Sequence, residues 1–177
     1  MGERAKRARE NFMKGCNCSQ SVFLAFADLY GFDEATAMRI SASFGAGMGR
    51  MREICGCFSG VLLVAGMETG ATAPADQKAK GENYRQVQEL AARFKEENGS
   101  IVCRELLAMA GYVPKDASWK PQERNGEYYR KRPCPDIVER AAQILEETFF
   151  SDQAESGTSE GTGEEQQEKG GQRLPEE

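Results

Sequence analysis

The sequence predicts an all-α fold: one multi-helix domain over residues 1–150, followed by an acidic tail over residues 151–177 that is expected to be disordered. Three observations carry this. No stretch sustains the period-two alternation of a half-buried strand. Apolar residues recur at three- and four-residue spacing through the first 150 positions. Asn, Asp, Ser, Gly or Pro punctuate those stretches where helices would start and stop. At 177 residues the chain is long enough to bury a core without disulfide staples.

Ala5, Ala8 and Phe12 mark the inner face of a short basic first helix, closed by the Gly15–Asn17 break. Asn17 is the expected N-cap of a second helix with Cys18, Val22, Phe26 and Leu29 inward, ending at Gly31. Asp33 or one of its neighbours caps a third, with Ala37, Ile40 and Phe44 inward, before the loop Gly45-Ala46-Gly47-Met48-Gly49. A fourth helix is expected from about Cys55, with Cys55, Phe58, Leu62, Ala65 and Thr69 on one stripe. Its Gly56 and Gly60 would admit a neighbouring backbone closely.

Pro74 and Asp76 precede a long amphipathic fifth helix carrying Tyr84, Val87, Leu90, Ala91 and Phe94, which Asn98-Gly99 terminates. Ser100 is placed to cap a sixth, with Cys103, Leu106, Leu107 and Ala110 inward. The stretch from Gly111 to Pro133, rich in Pro, Gly, Trp and Tyr, reads as a functional or covering loop. Cys134-Pro135-Asp136 then opens the last helix, with Ile137, Ala141, Ile144, Leu145 and Thr148 inward.

The net charge of −5 is unevenly spread. The tail holds eight acidic residues against Lys169 and Arg173, a net −6, which leaves the body near neutral at +1. With a single Leu, the tail cannot bury enough apolar surface to offset the entropy of ordering. Docking onto a basic partner is its functional alternative. No signal peptide or membrane span is expected, since the charged N-terminus is followed by no apolar stretch of sufficient length. A cytoplasmic location is therefore expected, where structural disulfides are rare. Nucleic-acid binding is not expected, despite Arg130-Lys131-Arg132 beside Tyr128 and Tyr129, because the body lacks a basic excess.

Six cysteines and no histidine restrict the chemistry to sulfur. Ser/His and Cys/His catalytic pairs, His-containing zinc sets and histidine-ligated haem are all removed. Cys18, Cys55, Cys103 and Cys134 each fall at or within the first turn of an expected helix, where free N–H groups and the helix dipole favour a thiolate or an anionic metal–sulfur centre. Their long intervals match no zinc ribbon or finger. Cys16/Cys18 and Cys55/Cys57 form Cys-x-Cys pairs. Residues two apart on a helix point about 200° from each other, so one of each pair is expected to be a bystander, with Cys18 and Cys55 inward.

The glycine loop lacks nucleotide-binding spacing and follows a helix. Its backbone N–H groups could instead approach sulfur, with Arg50 and Arg52 balancing negative charge. Spacing alone leaves thiol redox, Cys-only metal binding and core packing all open.

Several segments resemble the C-GCAxxG-C-C family of redox-active proteins. They are Gly15-Cys16-Asn17-Cys18, Phe44-Gly45-Ala46-Gly47-Met48-Gly49-Arg50, Cys55-Gly56-Cys57-Phe58-Ser59-Gly60, the run from Asn98 to Leu107 containing Cys103, and Tyr128 to Pro135 containing Cys134. The resemblance spans nearly all of residues 11–150 and leaves out the tail. It maps the family's four characteristic cysteines onto Cys18, Cys55, Cys103 and Cys134. Similar domains in split-Soret cytochromes are associated with an iron–sulfur centre, and some relatives carry selenocysteine, which implies redox chemistry. With no Cys-x-x-Cys-His present, a haem role does not carry over. Cys57 stands where the family usually has alanine.

The resulting expectation is electron transfer through a four-cysteine site holding an iron–sulfur cluster, [2Fe–2S] being one form, with a redox partner the sequence does not identify. A metal-free thiol–disulfide oxidoreductase and a non-catalytic zinc-binding or structural protein are the rivals.

Overall fold

The computed structural model describes residues 2–114 and 118–151. The expected tail, residues 151–177, lies outside the described residues except for Ser151. Eight helices follow in order: α1 (Glu3–Met13), α2 (Cys18–Leu24), α3 (Glu34–Ser41), α4 (Gly56–Thr69), α5 (Gln77–Asn98), α6 (Cys103–Met109), α7 (Gly126–Arg130) and α8 (Cys134–Phe149). The described residues contain no β-strand, only an isolated antiparallel bridge between Ile54 and Val102. No described helix is long and apolar enough to cross a membrane.

Helix α4 is the centre of the packing, touching α2, α5 and α8. Gly56, Cys57, Phe58, Ser59, Gly60, Val61, Val64 and Ala65 are all buried and Leu62 and Leu63 half-buried, as expected of an apolar helix without a polar face. Gly60 permits the α2 crossing: a Cβ there would fall 2.8 Å from Val22 Cβ and 3.1 Å from the Ser19 carbonyl oxygen. Helices α1 and α8 pack along each other, burying Ala5, Ala8 and Phe12 against Val138, Ala141 and Leu145. Arg9 adds ion pairs to Asp136 at 2.6 Å and Glu139 at 3.0 Å. These are surface pairs, worth about 0–1 kcal/mol each, and they register the helices rather than hold them together.

Several local expectations are corrected. The second helix stops at Leu24 and continues as a 3₁₀ turn over Ala27–Tyr30, so Leu29 is exposed. Ile40 and Tyr84 are exposed too, as is Ala110 beyond the end of α6. Apolar residues near helix ends satisfy a periodic pattern without a neighbour to bury them. Ser100 is not the N-cap of α6. Val102 holds that position, and the Ser100 hydroxyl accepts from the Val102 N–H at 2.9 Å. The expected loop 111–133 contains the short helix α7, capped by the Asn125 side chain.

Candidate functional site: a cysteine nest

The starts of four helices converge on one place. Cys18 is the first residue of α2, Cys103 of α6 and Cys134 of α8, while Cys55 is the N-cap of α4. Each helix start carries of order half a positive charge, concentrated in its unpaired N–H groups. The Asn17–Gln20 capping box sets the start of α2. Asn17 also donates from Nδ2 to the Ala42 carbonyl at 2.8 Å, tying α2 to the glycine loop. The Cys55 N–H donates to the Ile101 carbonyl at 2.8 Å and the Cys103 N–H to the Glu53 carbonyl at 2.6 Å, so α4 and α6 start side by side.

The four predicted residues meet, and a fifth sulfur joins them. Cys134 and Cys57 hydrogen-bond to Cys18, and Cys57 also bonds to Cys55. The fields of Cys55 and Cys18 reach Cys103. The expectation that Cys55 and Cys57 face opposite ways is overturned, because Cys55 has extended-type backbone (φ −58°, ψ 130°) and precedes the first turn of α4. The helical 200° rule does not govern a pair that straddles the cap. Cys16 points elsewhere, its thiol 3.8 Å from the Met38 sulfur. All six cysteines are free thiols.

Charge is distributed unequally over the nest. Hydrogen bonds from Cys134 and Cys57 hold the Cys18 thiol well below its ordinary pKa. The positive charge of Arg124 and the Ala46 N–H assist, and together these outweigh burial. The Cys57 thiol is pushed well above its ordinary value, first by burial and then by its bonds to Cys18 and Cys55. Cys134 rises because it is hydrogen-bonded to Cys18 and buried. Burial, with the charges of Cys55 and Cys18, pushes Cys103 up to about 12, against the pull of Arg52. The protons belong to the set, and its bonds and neighbouring charges favour the charged form of Cys18 over those of Cys57 and Cys134.

The glycine loop walls one side. Ala46, Gly47, Met48, Gly49 and Arg50 all have positive φ, between 50° and 74°, and Arg52 follows at 64°. Four of these are not glycine, and each such residue costs about 1–2 kcal/mol in the left-handed region. At Gly47 nothing larger fits: a Cβ would stand 2.7 Å from both Cys103 Cβ and Arg52 Cα. The loop is thereby held against the sulfurs, with the Ala46 N–H on Cys18 and the Arg52 side chain on Cys103.

On the other side stands a stack the sequence reading missed. The Arg124 guanidinium lies 4.6 Å from the Phe12 ring and 4.9 Å from Tyr128. Arg132 covers the same Tyr128 at 4.4 Å and Tyr112 at 4.1 Å. Arg132 is only 7% exposed. Its hydrogen-bond partners among the described residues, the Tyr112 hydroxyl at 2.7 Å and the Gln122 side-chain carbonyl, are neutral. Burial, followed by the negative charge on Cys18, raises Tyr128 to about 12, so it remains a phenol between two cations. The signal in the sequence is arginine interleaved with tyrosine in residues 111–133, where Arg130-Lys131-Arg132 beside Tyr128 and Tyr129 reads only as a candidate nucleic-acid patch.

Among the described residues, no set of three or more Cys, Asp, Glu or His side chains stands arranged as a ready metal site. The thiols are bonded to one another instead. By donor chemistry the nest still fits a sulfur-ligated centre. It offers soft ligands without competing carboxylates, and it is surrounded by helix starts and arginines that favour an anion.

A model of the family described as "Putative redox-active protein (C_GCAxxG_C_C)" matches residues 16–148, a span that contains all six cysteines, the glycine loop and the arginine stack. Comparison with curated proteins and with solved structures finds no match in either. The matched span covers well over half of the chain and includes every element of the nest, and the chain belongs to the C_GCAxxG_C_C family of redox-active proteins.

Proposed function

We propose that this redox protein transfers electrons through an iron–sulfur cluster held in the nest by Cys18, Cys55, Cys103 and Cys134. One observation carries the reading: Arg132 is buried beside the nest with only neutral hydrogen-bond partners among the described residues. An unpaired buried cation costs several kcal/mol, and the nest is the place where balancing negative charge can reside. Arg124 and Arg52, which act on Cys18 and Cys103, point to the same conclusion. When bound, the cluster supplies one-electron chemistry between two anionic charge states.

The chain's own residues do the rest. Helix starts and the Ala46 N–H stabilise sulfur charge, and the strained loop and the aromatic stack exclude water. Cys57, held protonated by burial, serves as an S–H donor to Cys18 and Cys55 rather than as a ligand.

A second reading is a metal-free thiol–disulfide oxidoreductase, favoured by the low-pKa Cys18 with Cys57 and Cys134 hydrogen-bonded to it. Metal and acid-labile sulfide analysis separates the two. Protein produced with iron and purified without oxygen is expected to be coloured and to contain both iron and sulfide. Colourless, metal-free protein whose thiols cycle reversibly to a disulfide would replace the first reading with the second. Stoichiometric zinc without a redox response would contradict both.

A further inference from the structure

Against the outer face of the glycine loop lies a pocket of about 280 Å³. Its lining includes Asn17, Ala46, Arg52, Trp119, Arg124 and Tyr128, and the described lining contains no Asp or Glu. We propose that this pocket seats a small anionic substrate of the redox site, a molecule carrying a carboxylate or oxyanion group. As a substrate assignment it rests on the redox reading above; as an anion site it stands on the pocket itself.

Charge selects the ligand class. Arg52 and Arg124 both line the pocket; among the described residues Arg52 contacts the Cys103 thiol, and Arg124 the Phe12 carbonyl and the Phe12 and Tyr128 rings. Guanidinium forks match carboxylate and oxyanion geometry and hold charge at every accessible pH. Size limits the ligand, since about 280 Å³ lies at the small end of the range for small-molecule sites. A larger cavity of about 700 Å³ beyond Tyr128 selects nothing comparable, because Glu123 and Glu127 share its lining with Arg130 and Lys131.

Position connects the pocket to the sulfurs. Ala46 and Arg52 each line it and each hydrogen-bond a nest cysteine, and Arg124 acts on Cys18. A bound anion and the nest therefore share the same cations. Negative charge in one place weakens negative charge in the other, so reduction of the nest loosens the anion, and the anion opposes reduction by the same factor.

Trp119, the single tryptophan of the chain, is 79% exposed at the pocket rim and reports occupancy. The test is titration of full-length protein with inorganic phosphate and, separately, succinate, at constant ionic strength set by chloride, reading Trp119 fluorescence. A saturable change is expected with at least one of the two, and the pair distinguishes oxyanion from carboxylate. Arg52→Gln and Arg124→Gln should each weaken it about tenfold or more. Ala42→Asp is the variant least prone to misfold, since Ala42 is exposed at the pocket edge; its added carboxylate should weaken binding as well. A response that tracks ionic strength alone, or binding unchanged in all three variants, would overturn the proposal. The titration needs no cofactor. Saturable, arginine-dependent binding by protein without a redox couple would keep the anion site and remove only its redox assignment.

Discussion

Cys18→Ser is expected to abolish cofactor binding and the redox response together, the largest effect of any single substitution. Cys134, Cys57, Arg124 and the Ala46 N–H all favour the charged form of Cys18. A serine hydroxyl at the same place is a hard, weak ligand that remains protonated. Cys55→Ser, Cys103→Ser and Cys134→Ser should likewise lower iron content at least tenfold. Cys16→Ser should leave iron content unchanged, because its sulfur faces Met38. Cys57→Ala should retain the cofactor and lower its potential, because the Cys57 S–H donor to the neighbouring sulfurs is lost. Iron content and voltammetry on the six variants check the set. Iron lost in Cys57→Ala but kept in Cys55→Ser would exchange the roles of those two residues.

The second large effect is expected from the arginine stack. Removing a positive charge beside a centre that gains an electron disfavours the reduced form, so Arg124→Gln and Arg132→Gln should both lower the midpoint potential. A unit charge about 8 Å away, at an effective dielectric of about 20, contributes about 2 kcal/mol, or roughly 90 mV for one electron. The half-exposed Arg124 should give less than this because solvent screens it. Arg132→Gln should also destabilise the fold by about 1–3 kcal/mol, since the Tyr112 hydroxyl and the Gln122 carbonyl lose their donor. Arg132→Lys keeps the charge and gives up the planar stack, so it separates the two effects. Potentials unchanged in both Gln variants would show that the stack serves packing alone.

Much of this was legible in the chain because helices announce themselves locally. Asn17, Asp33 and Asp76 each cap a helix through the side chain that the sequence marked, and Gly31 and Gly99 both stand at positive φ after their elements. Coincidence of cysteine with helix start brought out Cys18, Cys55, Cys103 and Cys134, which stand at four helix starts, while Cys57 beside Cys18 and Cys55 escaped it. Periodicity also misled. It treated Cys55 and Cys57 as two points on one helix, when Cys55 is the non-helical N-cap and only Cys57 lies within α4, and both are buried.

The arginine stack was hidden for a different reason. Phe12, Tyr112, Arg124, Tyr128 and Arg132 lie on three separated segments, and of these only Phe12 sits on a periodic face that marks it as inward. Only the packing of α1 against the region before α8 brings them into register. Nor does sequence foretell left-handed backbone at Ala46, Met48, Arg50 and Arg52, where no glycine advertises it.

The central claim is that the cysteine nest is the redox centre of this chain. The most direct test is a reductive titration of anaerobically purified full-length protein, followed by absorbance and run in parallel on Cys18→Ser. The account predicts a reversible couple in the first, with the one-electron slope of about 59 mV per decade, and none in the second. A couple that survives unchanged in Cys18→Ser, or no reversible couple in the unaltered protein, would contradict it.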